Sequence, residues 1–241
     1  MLISTSITAQ SIAAVDRVPA NGGEKLFAMQ RTRKARVFNV SGPYAVGKDT
    51  VLNALLSSYG DRVYRVRTLT TRPVSAEADP SYEHVSFEEM HERTSVGRWI
   101  VNYQLSGRTA YATNIDEIER AVNTGLICIH SIYAGPAGAG KFREAFGAEL
   151  FSIGMLPATG DVSEQLAVLR SRLLGRSRDD TAAIEARLEH QVEPLQYVLD
   201  NPLISTMDGS LHVFDRVLVN YDLQETVHGA VELFDKTMLE G

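Results

Sequence analysis

A chain of 241 residues can bury one full hydrophobic core with excursions, and its 44% apolar and 22% charged residues are ordinary for a globular fold. The formal charge of −6 argues against a broad cationic face, so neither nucleic acid nor an anionic membrane surface is an expected partner. No apolar stretch approaches the roughly 18 to 20 residues that cross a bilayer, and a single cysteine, Cys128, allows no internal disulfide or Cys-based zinc site, which makes a reducing cytoplasm the expected compartment.

Residues 1–34 read as an N-terminal extension. The opening apolar, Ser/Thr-rich segment lacks the cationic start of a secretory signal, Asn21-Gly22-Gly23 breaks it, and Arg31, Arg33, Lys34 and Arg36 form a solvated lead-in. Val37 to Val40 is a β-rich run, and Thr50 to Ser58 carries apolar residues at 51, 52, 55 and 56, a helical face closed by Gly60. Val63 to Thr71 alternates and predicts one strand, followed by a polar loop to Ser81. Phe87 to Arg93 predicts a helix, Trp99 to Leu105 and Arg108 to Thr113 a hairpin around Ser106-Gly107, and Ile115 to Asn123 another helix. Leu126 to Ile132 is a continuous apolar run of the kind buried on both faces of a parallel sheet, in which Cys128 reads as a small hydrophobe rather than a nucleophile. A short helix at Gly140 to Phe146, a strand at Phe151 to Leu156, helices at Ser163 to Leu174 and Thr181 to Leu199, a strand at Val213 to Asn220 and a closing helix at Leu223 to Leu239 complete the chain. Strands alternating with helices in this way predict a three-layer α/β fold with a parallel core sheet.

The segment Gly42-Pro43-Tyr44-Ala45-Val46-Gly47-Lys48 has the spacing G-x-x-x-x-G-K and lies between a predicted strand and a predicted helix, as a phosphate-binding loop requires. Its glycines let backbone N–H groups turn toward phosphate oxygens, the helix start adds its positive end, and Lys48 supplies a point charge for the β and γ phosphates. The hydroxyl residue that usually follows the lysine is replaced by Asp49, with Thr50 behind it. A carboxylate is a strong ligand for Mg²⁺, and it also stabilises a first helical turn; both roles remain open for Asp49.

Five stretches in order, SGPYAVGKDT, TTRPVSAEADPSYEHVSFEEM, YATN, RLLGRSRDDTAAIEARL and FDRVLVNYDL, make residues 36 to 235 resemble the guanylate kinase family. The resemblance implies a P-loop kinase fold over residues 35–241, with an acceptor-binding region at about 68–115 and a lid at about 170–190. It implies that Arg72, Tyr82 and Tyr111, with Thr68 and Thr113, hold a phosphorylated acceptor. Arg172, Arg176 and Arg187 match the family's lid arginines, and Asn220 matches a residue that meets the adenine edge of ATP. Taken singly, Tyr82 and Tyr111 would read as half-buried packing residues and the arginines as a solvated helix face. Arg172 and Arg176 lie four apart, flanked by Arg170 and Arg178 with little compensating acid, which is an awkward surface pattern.

The chain also departs from the family. Its second acceptor arginine is Ser75 here, the loop to Tyr82 is two residues shorter, the guanine-reading glutamate falls near Val101 and Asn102, and two aspartates on a core strand become His130-Ser131-Ile132. His130, in an apolar strand, reads as a satisfied core histidine. The G-K-D-S/T loop and the loss of the paired acids are similar to ribose 1,5-bisphosphate phosphokinase, a guanylate-kinase relative acting on a sugar phosphate. The resulting expectation is transfer of the γ-phosphoryl of ATP, with Mg²⁺, to a small phosphorylated acceptor. Lys48 and the lid arginines would be catalytic, and Gly42, Tyr44 to Thr50 and Asn220 would bind ATP. A nucleoside monophosphate such as GMP is the leading acceptor class, with a sugar phosphate or specialised nucleotide second and a non-catalytic guanylate-kinase-like binding module as a further alternative. A homodimer is left open.

Overall fold

The computed structural model describes residues 35–74, 79–104, 109–175, 181–201 and 212–240. The extension at 1–34, the turn at Ser106-Gly107, and Ser75, Arg176 and Arg178 lie outside the described residues.

In chain order the strands are β1 (Val37–Ser41), β2 (Val63–Arg65), β3 (Thr68–Thr70), β4 (Tyr82–His84), β5 (Trp99–Gln104), β6 (Thr109–Asn114), β7 (Ile127–Ile132), β8 (Leu150–Leu156) and β9 (Arg216–Val219). The α-helices are α1 (Lys48–Tyr59), α2 (Phe87–Thr94), α3 (Ile115–Asn123), α4 (Lys141–Phe146), α5 (Val162–Leu174), α6 (Thr181–Glu189), α7 (Val192–Asp200) and α8 (Leu223–Phe234). A five-stranded parallel sheet runs β2-β7-β1-β8-β9, and a four-stranded sheet runs β4-β3-β6-β5.

Apolar clusters cover both faces of the parallel sheet, which explains the near-continuous hydrophobic runs of β1, β7 and β8. On one face Val37, Cys128, Ile132 and Leu150 meet Phe142 of α4, Leu169 of α5, Leu188 of α6 and Leu195 of α7. On the other, Phe38, Val40, Ile129 and Ile153 meet Val51 and Leu55 of α1 and Ala230 and Phe234 of α8. The layers are therefore helix, sheet, helix, as the alternation predicted. Cys128 is fully buried, its thiol pushed up to about 12 by burial and then by Glu117, so it is an inert core residue.

Three expectations need correction. The alternating run Val63 to Thr71 is two strands, β2 in the parallel sheet and β3 in the smaller one, with buried Val66 packed into the core between them. Only Val66 and Arg67 separate the two strands, so the sequence carries no break that would mark the crossing. The polar stretch around Tyr82 holds β4, which pairs with β3 in parallel, Thr68 opposite Tyr82. The helix expected from Thr181 to Leu199 breaks into α6 and α7 at His190-Gln191. Pro194 has no N–H to give a carbonyl four residues back, and the break places it in the first turn of α7, where none is needed.

Candidate active site

β1 lies between β7 and β8, so the chain leaving its carboxyl end enters the crevice where ligands of open α/β sheets gather. The loop that follows is held in one shape. Gly47 has φ +103°, and a Cβ there would lie 2.8 Å from Asn220 Nδ2 and 2.9 Å from Leu223 Cδ1. Ala45 occupies the left-handed region at φ 61°, a conformation costly for a residue with a Cβ. Asn220, buried at the end of β9, donates through Nδ2 to Val46 O at 2.8 Å and accepts through Oδ1 from Thr226 Oγ1 at 3.3 Å. Lys48 folds back across the loop, donating to Gly42 O at 2.9 Å and Pro43 O at 2.7 Å.

Asp49 stands in the first turn of α1, where Arg65 of β2 reaches Oδ1 at 3.2 Å; its side chain is 57% exposed. Thr50 is exposed beside it.

The smaller sheet presents one face to this loop. Strand pairing sets Thr70 and Asn102 opposite Tyr111, and Thr68 and Ile100 opposite Thr113, so these side chains share a face with Tyr82. Val101 lies on the opposite face, packed with Leu69, Met90, Ala110 and Ala112 over α2. Of the two residues at the expected base-reading place, buried Asn102 is the one on the face shared with Tyr82 and Tyr111. The Arg72 guanidinium lies 5.2 Å from the Tyr82 ring centre, and the Tyr82 and Tyr111 rings meet edge-on at 6.2 Å. The Tyr44 and Tyr111 hydroxyl oxygens are 3.4 Å apart. At the back, the Thr113 hydroxyl lies 3.0 Å from His130 Nε2. Burial, and then Arg65, pushes the His130 imidazole down to about 3, so it is neutral.

The structure thus brings together Gly42, Tyr44–Thr50 and Asn220 on one side and Thr68, Arg72, Tyr82, Tyr111 and Thr113 on the other. Arg172 Nη2 donates to Pro157 O and to Asn220 O, the residue whose side chain holds the loop at Val46. Arg187 is half-buried in the last turn of α6, where its carbonyl accepts from Gln191. Arg170 has the compensating acid that the sequence pattern lacks, Glu185 of α6 at 2.6 Å.

A family model described as guanylate kinase matches residues 34–237. The chain belongs to the guanylate kinase family. Among curated guanylate kinases, that of Halalkalibacterium halodurans is 30% identical over 181 residues, covering 70% of this chain and 81% of that protein. That of Rubrobacter xylanophilus is 26% identical over 210 residues, covering 87% and 98%. The crystal structure of guanylate kinase from Anaplasma phagocytophilum superimposes with a TM-score of 0.57 at 18% identity, covering 86% of this chain and 87% of that one, a likeness of fold.

Two site residues of this guanylate kinase family member carry no sequence signal. Gln191, buried at the α6–α7 break, accepts from Tyr44 N–H at 2.7 Å and donates to Arg187 O at 3.0 Å. Arg65 joins Asp49 and Asn53 beside the loop. Only the fold brings them there, since each is far in sequence from at least one of its partners. Among the described residues no three His, Cys, Asp or Glu side chains form a metal group, and no helix is long and apolar enough to span a membrane. Mg²⁺ in phosphoryl-transfer sites takes one or two carboxylates together with the substrate's phosphates, and an exposed Asp49 carboxylate at the loop fits that donor set.

Proposed function

We propose that the chain transfers the γ-phosphoryl of ATP to a small phosphorylated acceptor. The observation that carries this reading is the meeting of the Gly42–Lys48 loop with the Arg72–Tyr82–Tyr111 cluster across the Tyr44–Tyr111 contact. Loop N–H groups and the start of α1 would receive the ATP phosphates, with Lys48 exchanging its two loop carbonyls for phosphate oxygens. Arg72, Tyr82 and Tyr111 would hold the acceptor's phosphate by charge-assisted hydrogen bonds. Arg172, Arg176 and Arg187 would cover the transferring group and balance its charge, as the lid at about 170–190 closes. Asp49 would hold Mg²⁺, which when bound offsets charge between the β and γ phosphates.

A nucleoside monophosphate such as GMP is the first acceptor class. Asn102, Thr68, Thr113 and neutral His130 on the acceptor side favour a second reading, a phosphorylated sugar, because hydroxyls and amides match neutral donors and acceptors. The test is ADP release with ATP, Mg²⁺ and a panel of nucleoside monophosphates and sugar phosphates. Turnover with at least one acceptor is expected, and GMP should lack the thousandfold preference over AMP that a guanine-reading carboxylate would give. No acceptor-dependent ADP release across the panel would overturn the kinase reading in favour of a binding module.

A further inference from the structure

The loop that cradles the donor's phosphates also sends one large side chain into the acceptor cluster. Tyr44 is half-buried, and its hydroxyl oxygen lies 3.4 Å from that of Tyr111, whose ring packs edge-on against Tyr82 beneath Arg72. We propose that Tyr44 is a third phenolic ligand of the acceptor's phosphate, so that one residue of the ATP loop reads the acceptor directly.

The geometry suits this role. Two hydroxyl oxygens 3.4 Å apart can both reach one phosphoryl oxygen at about 2.6 Å, the distance of a hydroxyl bonded to an anion. The ring is aimed from behind. Tyr44 N–H is fixed on Gln191 Oε1 at 2.7 Å, and the neighbouring Ala45 holds the loop's left-handed turn, so the backbone that carries the phenol is braced by α6 and α7. Burial, then the Tyr111 phenol, holds the Tyr44 hydroxyl above its ordinary range while Arg72 pulls it down, so it remains a hydrogen-bond donor at neutral pH. Gln191 is by this argument a positioning residue.

The proposal rests on reading Arg72, Tyr82 and Tyr111 as a phosphate clamp, and the experiment separates the two. Calorimetric titrations would compare GMP with guanosine, AMP with adenosine and ribose 5-phosphate with ribose, for the wild type, Arg72→Ala and Tyr44→Phe. The ratio of affinities within a pair isolates the phosphate's contribution, because lost packing would weaken both members alike. Tyr44→Phe keeps the ring and the backbone bond to Gln191. In at least one pair the wild type should prefer the phosphorylated member, and Tyr44→Phe should lower that preference by about tenfold. If Arg72→Ala lowers the ratio and Tyr44→Phe preserves it, the role of Tyr44 is overturned and the clamp stands. If no pair shows a phosphate preference in the wild type, the clamp is overturned and the proposal with it.

Discussion

Lys48 holds two loop carbonyls in the structure described, and those bonds keep its ammonium within the turn where phosphate oxygens would arrive. Lys48→Ala removes the charge that the proposed function assigns to the β and γ phosphates. Its kcat/KM should fall at least a hundredfold, about 2.7 kcal/mol of transition-state stabilisation, measured by coupled ADP release; equal turnover would remove Lys48 from the chemistry. Asp49 next to it has two possible occupations, the metal and Arg65, and the second is on view at 3.2 Å. The pair is largely exposed on the acid's side and worth little to stability. Asp49→Asn should therefore raise the Mg²⁺ concentration for half-maximal rate and lower kcat, with a small change in melting temperature. Superimposable curves of rate against Mg²⁺ for the two proteins would leave Asp49 with Arg65 and the helix start, the latter an effect below about 1 kcal/mol.

At the scale of elements, what the sequence made legible was whatever repeats or obeys a fixed spacing. β1, the phosphate loop and α1 were readable because G-x-x-x-x-G-K has to sit between a strand and a helix. The core strands were readable from their apolar runs. The division of Val63 to Thr71 was not, because alternation marks a strand but not the sheet it joins, and β4 was too short and polar to rise above its loop. Asn102 could be placed to within one residue, and only the pairing of β5 with β6 decides which side of the sheet it faces. A comparable long-range contact ties α4 to β8 and to the segment before β9. Buried Arg143 donates to Asp215 Oδ2 at 2.5 Å and to the carbonyls of Gly147 and Leu150, while Ser152 N–H also donates to Asp215 at 2.7 Å. Asp215→Ala would strand a buried guanidinium and a buried N–H together. It should cost about 3 to 5 kcal/mol, read as a lower urea midpoint at unchanged m-value. A loss under about 1 kcal/mol would mean that the pair is not buried in solution.

Across the whole molecule the two sheets meet at a neutral imidazole. His130 of β7 faces Thr113 of β6 at 3.0 Å, packs against Phe142 of α4 at 5.4 Å between ring centres, and feels Arg65 of β2 as a second influence after burial. Both influences oppose its protonation, which fixes the sign of a pH effect. In the folded chain the imidazole titrates at about 3, and in the unfolded chain near its ordinary 6.5. Above 6.5 neither state holds the proton, and stability owes nothing to this group's titration. Between the two values the unfolded chain takes a proton that the fold refuses, so stability falls as pH falls, by up to about 1.4 kcal/mol per pH unit for this one group. Carboxylates elsewhere add their own acid dependence, so the effect of His130 is a difference between two proteins. His130→Gln keeps a polar group toward Thr113 and removes the titration. Urea unfolding from pH 7.5 to 4.5 should give a shallower loss of stability for the variant below about pH 6.5, with the two curves parallel above it. Parallel curves through the whole range would mean that His130 accepts a proton in the folded state, and that the joint between the sheets is open to water.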